Sequence, residues 1–474
     1  MNRLLPLILL LLFTLPARAE EKPNILFLFA DDLCHEAVGY AGLLDVETPH
    51  LDRLAASGTI FTDASNPGSW SGAVCVASRT MLLTGRGLWQ AKAIYADTDQ
   101  ERVAGRLWPQ LLAAQGYATY YTGKWHVRAD AAKAFEVTAH LRAGMPKDTP
   151  EGYHRPHPGQ PDPWDPADPK FGGFWEEGTH WSEVVANDAV AFLEQAAADP
   201  RPFFIAAAFN APHDPRQAPR SFLDRYPLER IRVPETFLPE YPYKDAIGCG
   251  PGLRDEKLAP FPRTEHAVKV HRREYFALIT HLDAQIGRIL DALERGGKAS
   301  RTYVFFTADH GLAIGQHGLF GKQNLYEHSL RVPLVLRGPG IPARGRVDVP
   351  VLLQDVMPTT LELAGAPKPS HVHFHSLLPL ARGETTRSPY PDICSAYLDL
   401  QRAIRVDGWK LIVYPEAGVT RLHDVAQDPR ELRDLAADPA QAARKRDLFH
   451  RLLRRQRELG DRLDLAAAFP DLAP

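Results

Sequence analysis

The stretch Asn24-Ile25-Leu26-Phe27-Leu28-Phe29-Ala30 is an almost continuous apolar run that stops at the acidic pair Asp31-Asp32. A short run without polar alternation is what a strand buried on both faces of a parallel sheet requires. Similar runs recur at Tyr117–Tyr121, Pro202–Phe209, Thr302–Thr307 and Pro333–Leu336. Helical periodicity lies between them, at Thr48–Ala56, Arg106–Gln115, Ser182–Ala198 and Glu265–Arg295. The last carries one apolar stripe through Leu278, Ile279, Leu282, Ile286, Ile289, Leu290 and Leu293, closed by Gly296-Gly297. Alternating strands and helices predict an α/β fold. Its core is a large mixed, mostly parallel sheet sandwiched by helices.

The rest of the chain sets limits on that picture. It has 474 residues, 45% apolar and 24% charged, which is a globular composition. Lys plus Arg is 55 and Asp plus Glu is 58, giving a net charge of −3. That balance offers nucleic acid no electrostatic attraction. Met1 to Ala19 reads as a secretory signal: Arg3, an apolar run from Leu7 to Leu15, then Ala17-Arg18-Ala19 as a cleavage pattern. The run is too short for the roughly 20 residues of a membrane-spanning helix, and no stable membrane insertion is expected. The expected location is secreted or periplasmic. In that oxidising setting Cys34, Cys75, Cys249 and Cys394 could form two disulfides, with all three pairings open.

Near residue 370 the pattern changes. Cys394–Leu398 and Ala403–Tyr414 alternate like antiparallel strands around Asp407-Gly408, a hairpin turn, and Ala437 to Leu459 is a charged amphipathic helix. The division expected is a signal at 1–19, a catalytic α/β domain at 20–370 and a smaller C-terminal α+β subdomain at 371–474. Two stretches, Ala139–Trp181 and Pro215–Pro262, are long, irregular and rich in proline, and read as functional loops.

In open α/β sheets, ligands bind beyond the carboxyl ends of the strands. Asp31-Asp32, Lys124 with His126, His213, and Asp309-His310 each follow a strand candidate. An isolated Asp-Asp pair is most simply a turn or helix cap, but several carboxylates gathered at strand ends suit a hard divalent cation. Cys75 opens the segment Cys75-Val76-Ala77-Ser78-Arg79-Thr80-Met81-Leu82-Leu83-Thr84-Gly85-Arg86. Val76 to Leu83 reads as a short helix capped by Gly85. A thiol at its positive end, with Arg79 one turn on, suits anion chemistry; a buried, inert cysteine is the plainer reading.

This segment resembles the signature of the type I, formylglycine-dependent sulfatases of the alkaline-phosphatase superfamily. Six further pieces follow in family order: Asn24 through Leu33, Thr48-Pro49-His50-Leu51-Asp52-Arg53-Leu54-Ala55, Gly123-Lys124-Trp125-His126, Ala211-Pro212-His213, Thr307-Ala308-Asp309-His310-Gly311, and Gly321-Lys322 with Arg331-Val332-Pro333. The resemblance implies a sulfate-ester hydrolase in which Cys75 is converted to formylglycine by a maturation enzyme. One hydroxyl of the hydrated aldehyde attacks sulfur; the other then expels sulfate. It implies Asp31, Asp32, Asp309, His310 and the residue-75 oxygen as ligands of one divalent ion, Ca²⁺, with Mg²⁺ the alternative. It implies Arg79 and His126 as supports of residue 75, Lys124 and Lys322 as sulfate-oxygen binders, and His213 as the acid for the leaving alcohol. Ala77 stands where members often have Pro, and His310 where many have Asn.

A secreted hydrolase of this kind most often takes sulfated carbohydrate. His154, His157, Trp164, Trp175, His180 and Trp181 are candidates to meet sugar rings, or simply pack their loop. Two other readings stay open: a phosphoester or phosphonate hydrolase on the same fold, and a non-catalytic glycan-binding relative. The phosphatases of the superfamily mostly need a second set of metal ligands, and only one is evident.

Overall fold

The computed structural model describes residues 21–147 and 149–474. The signal reading, Met1 to Ala19, lies outside the described residues. In chain order the elements that build the site are β1 (Asn24–Ala30), α1 (Pro49–Ala56), β2 (Thr59–Phe61), β3 (Gly68–Ser69), α2 (Val74–Thr84), α3 (Trp108–Ala113), β4 (Ala118–Lys124), β5 (Val137–Arg142), α4 (Trp181–Ala198), β6 (Phe203–Ala208), α5 (Glu265–Arg295), β7 (Thr302–Ala308), β8 (Leu334–Arg337) and β9 (Gly345–Val347).

Eight of these strands form one sheet in the order β9-β2-β8-β7-β1-β6-β4-β5. β1 lies at its heart, parallel to β7 on one side and β6 on the other. Every residue of β1 is buried, which is why its sequence shows no alternation. Within this sheet only β8 runs against its neighbours. Helices cover both faces. Trp108 of α3 packs on Phe27 and Phe204, with ring centroids 5.1 and 4.8 Å apart. On the other face Phe192 of α4 meets Tyr120 at 5.3 Å.

The strand and helix runs read from sequence are present, with shifted ends. The strand expected at Tyr117–Tyr121 continues to Lys124, so Lys124 ends β4 rather than following it. The loop expected from Ala139 begins as β5, paired to β4 with a register shift after Thr122. Gly123, at φ +94°, sits at that irregularity, and a Cβ there would lie 1.9 Å from the Ala208 carbonyl oxygen.

In the C-terminal region β10 (Ile393–Tyr397), β11 (Gln401–Val406), β12 (Trp409–Tyr414) and β13 (Val419–Asp424) form an antiparallel meander. Asp407 and Gly408 both take positive φ, 48° and 79°, at the expected hairpin turn. α6 (Ala442–Leu459) packs Leu448, Phe449 and Leu452 onto Ile404, Leu411, Val413 and Leu422. One feature was not legible in sequence: β3 joins this sheet in parallel beside β10. The segment leading into α2 is therefore held by the C-terminal sheet. All four cysteines are free, so the disulfides left open above are not made.

Candidate active site

The carboxyl ends of β1, β4, β6 and β7 converge on the first turn of α2. Asp31 and Asp32 follow β1, with Asp32 in the left-handed region at φ 64°. Asp309 follows β7 and accepts the Asp32 backbone N–H at 3.2 Å. Helix α2 begins at Val74, two residues before the Val76 expected from sequence, and Gly85 ends it in the left-handed region with its N–H on Met81 O at 2.8 Å. Cys75 therefore lies in the helix's first turn, where unpaired N–H groups and the dipole favour negative charge. Two bonds fix α2 over the site: Ser78 Oγ donates to Asp309 O at 2.8 Å, and Arg79 Nε to Asp309 Oδ2 at 3.0 Å.

Two buried lysines face the acids. Lys124 Nζ is ion-paired with Asp31. Lys322 Nζ donates to Asp32 at 2.8 and 3.0 Å and lies 3.7 Å from Cys75 Sγ and 3.0 Å from His213 Nε2. His213 Nδ1 lies 2.7 Å from the Asp214 carbonyl oxygen, to which its N–H donates. Cys75 is 2% exposed and Lys124 0%. Burial pushes the Cys75 thiol up, but Lys124 and Lys322, helped by His126 and His213, outweigh it and hold the thiol well below its usual range.

The same crowding acts on the acids. Burial, with Asp309 beside it, raises Asp31 well above the usual carboxylate range. For Asp309 burial is opposed by His310 and Arg79, and its pKa is lowered. For His310 burial is outweighed by Asp309 and Asp32, and its pKa is raised. Asp31 Oδ1 is sealed from solvent with no hydrogen-bond partner, and His310 Nε2, sealed too, faces Asp32 Oδ1 at 3.1 Å and Asp309 Oδ1 at 3.5 Å. Donor atoms of Asp31, Cys75, Asp309 and His310 all lie within 4.8 Å of one another, as do those of Asp31, Asp32, Cys75 and His213. Orphaned, converging donors of this kind fit a divalent cation, and the oxygen-rich set favours a hard one.

The structure thus gathers Asp31, Asp32, Cys75, Arg79, Lys124, His126, His213, Asp309, His310 and Lys322 in one place. His126, at φ 56°, is half-buried and its Nδ1 has no partner. Gly144 closes behind its ring: a Cβ there would lie 2.7 Å from Nε2. Of the loop aromatics, His180 and Trp164 are buried packing residues. His180 caps α4 through Ser182 N at 3.1 Å and stacks on Phe174; Trp164 packs on Phe171 at 4.9 Å. They are not available to a sugar, because their rings are already covered.

Sequence reading missed three supports. Tyr275 on α5 donates to Asp32 O at 2.8 Å and accepts from Cys34 N at 3.1 Å. Tyr121 bonds the Lys124 carbonyl oxygen, as does Arg79 at 2.8 Å. Asp214 holds His213. Asp214 could have been noticed as the neighbour of His213; Tyr275 is indistinguishable in sequence from the apolar stripe around it.

Comparison with known proteins decides the family. The family model Sulfatase matches residues 23–366, well over half the chain. The chain belongs to the sulfatase family, whose members are sulfuric ester hydrolases. A second model, N-sulphoglucosamine sulphohydrolase, C-terminal, matches residues 315–458. This sulfatase is 30% identical over 448 residues to the choline-sulfatase of Rhizobium meliloti, covering 88% of this chain and 83% of that protein. It is 25% identical to an N-acetylglucosamine-6-O-sulfatase of Bacteroides thetaiotaomicron, covering 94% and 88%. Among solved structures, a protein bound to its substrate D-glucosamine-2-N,6-O-disulfate superposes with a TM-score of 0.71 at 23% identity, over 93% of this chain and 99% of that one. A phosphonate monoester hydrolase from Silicibacter pomeroyi superposes with a TM-score of 0.72 at 22% identity, over 94% and 97%. At those identities the likeness is one of fold. The family is generally metal-dependent, and the buried acidic groups here are able to bind a metal.

Proposed function

We propose that this sulfatase removes sulfate from a sulfated carbohydrate, using residue 75 as formylglycine and one divalent cation. The observation that carries the reading is the seating of Cys75: first turn of α2, buried, 3.7 Å from Lys322 Nζ and within ligand distance of Asp31, Asp309 and His310. A thiol so placed is electrostatically prepared for an oxyanion at the same spot.

In this reading Asp31, Asp32, Asp309 and His310 hold the cation, with calcium the expected ion. It supplies a counter-charge to the sulfate oxygens and to the residue-75 oxygen. Formylglycine supplies the attacking oxygen in place of a water nucleophile. Lys124 and Lys322 present ammonium groups to the sulfate oxygens, where negative charge builds as the S–O bond breaks. His213, oriented by Asp214, sits beside Lys322 to deliver a proton to the leaving alcohol oxygen. His126 takes the proton from residue 75 when sulfate is expelled, and Arg79 holds α2 against Asp309 throughout. The reading calls for a maturation enzyme that converts residue 75 and, from the signal-like sequence of Met1 to Ala19, for a mature protein that works outside the cytoplasm.

Carbohydrate as the substrate class rests on the sugar sulfatases among the relatives. The test is a comparison of p-nitrophenyl sulfate with the matching phosphate and phosphonate, followed by a panel of defined sulfated sugars. The reading expects kcat/KM to favour the sulfate by roughly 10²-fold or more. A preference for phosphate or phosphonate would overturn it in favour of the alternative hydrolase. Inactivity of formylglycine-containing protein on every ester would favour the glycan-binding alternative.

A further inference from the structure

A cavity of about 200 Å³ shares no lining residue with the catalytic cluster. Glu36, Arg232, Arg272, Gln316, His328 and Arg430 line it. Arg272 stands on α5 and is only 4% exposed, yet makes no hydrogen bond or ion pair with any described residue. Its Nε is sealed from solvent without a partner, and its guanidinium lies 5.3 Å from the centre of the Phe276 ring. A second, smaller cavity of about 60 Å³ reaches the same side chain. His328 Nε2 is likewise buried and unpartnered. A guanidinium N–H sealed from water with no acceptor is costly, and such a group is stabilised by an anion or by trapped water.

The neighbouring acids do not meet this need. Glu235 is paired with Arg430 at 2.8 Å and Glu431 with Lys410 at 2.9 Å. Glu36 faces Arg272 from beyond ion-pair distance; burial raises its pKa, which Arg272 and Arg430 oppose. At the mouth Arg232 is largely exposed and meets only Asp45, at 3.5 Å.

We propose that this cavity is a second anion site, taking a small tetrahedral oxyanion on the Arg272 guanidinium, with His328 inside and Arg232 at the rim. One turn along α5 from Arg272, Tyr275 braces Asp32 and Cys34. An anion held here therefore sits against the helix turn that supports the acidic loop. The site does not depend on which ester the active site hydrolyses.

Calorimetric titration of the full chain with inorganic sulfate, and separately with inorganic phosphate, tests it in a buffer free of other multivalent anions. Two sulfates should bind per chain, one displaced by an aryl sulfate and one not. Arg272→Met should weaken the second by roughly tenfold or more while leaving the first intact, since it removes the charge-assisted bonds to the anion. Arg232→Met, at the exposed rim, should weaken it less and is expected to fold normally. Phosphate binding lost in Arg272→Met, without sulfate binding, would uphold the site and name phosphate as its anion. A parent that binds one competitive sulfate and no second sulfate or phosphate, or undiminished second-site binding in both variants, would overturn the proposal and leave water as the partner of Arg272.

Discussion

At the scale of single residues, the account rests on a buried thiol ringed by cations. Cys75→Ala should lower turnover by roughly 10³-fold or more, as removal of a nucleophile does, while the midpoint of thermal unfolding stays within about 3 °C because little volume is lost. Steady-state kinetics on an aryl sulfate and a melting curve read both; retained turnover would remove residue 75 from the chemistry. Lys322→Ala should lower kcat by about 10²–10³-fold, the usual effect of deleting one charge-stabilising donor. An effect on KM alone would make Lys322 a ground-state contact. The principal residues of this cluster were legible because each closes a strand or opens a helix, where polar groups interrupt apolar runs. Asp31-Asp32 after Ala30 and Asp309-His310 after Ala308 are such breaks. Tyr275 was not legible, because a buried tyrosine in an apolar stripe carries no sign of the loop it will brace. For His180 and Trp164, sugar contact and loop packing were both open from sequence; both are buried and pack the loop.

At the scale of elements, strand and helix existence followed from periodicity, and their ends did not. β4 runs three residues past its apolar stretch because Thr122 and Gly123 are paired on both sides and Lys124 pairs with Arg142 of β5. No hydropathy pattern reports that. Gly123→Ala should destabilise the chain and lower activity together, since the added Cβ meets the Ala208 carbonyl and displaces Lys124; a fully stable, active variant would contradict this placement. Helix α1 provides a pH-dependent test. Its first N–H groups, from His50 and Leu51, are accepted by buried Asp283 at 3.1 and 2.8 Å. Burial raises the Asp283 pKa to about 7, and those bonds lower it only in part. The folded state therefore holds a proton that the unfolded chain, with a pKa of about 3.9, has released. The stability contributed by that proton is complete below about pH 4 and is lost as the pH rises through about 7. Asp283→Asn cannot titrate. Its melting temperature relative to the parent should become more favourable between pH 5 and 8, and a pH-independent difference would refute the assignment.

At the scale of the whole molecule, the C-terminal sheet is part of the catalytic scaffold. β3 links it to α2, and Gln401 Nε2 donates to the backbone oxygen of Gln323, beside Lys322, at 2.7 Å. A buried ion network joins the same two regions: Lys410 bridges Glu327 and Glu431 at 2.9 Å each, and Glu327 also meets Arg405 at 3.4 Å. Lys410→Met should cost about 3–5 kcal/mol by leaving buried carboxylates uncompensated, read as a fall in the urea midpoint; an unchanged midpoint would show the network to be dispensable. Removal of the divalent ion by a chelator should abolish turnover and lower the melting temperature, with calcium restoring both. Unchanged activity after chelation would remove the cation from the account. The C-terminal antiparallel sheet was visible in the alternation after Cys394, but the crossing of β3 was not, because a two-residue strand has no periodicity.

The central claim is that residue 75 is the seat of the chemistry, in its converted form. Mass spectrometry of the peptide spanning Cys75, from folded protein made by its native host, tests that claim most directly. The account predicts the mass of an aldehyde in place of the thiol. An unmodified thiol in fully folded protein would contradict it.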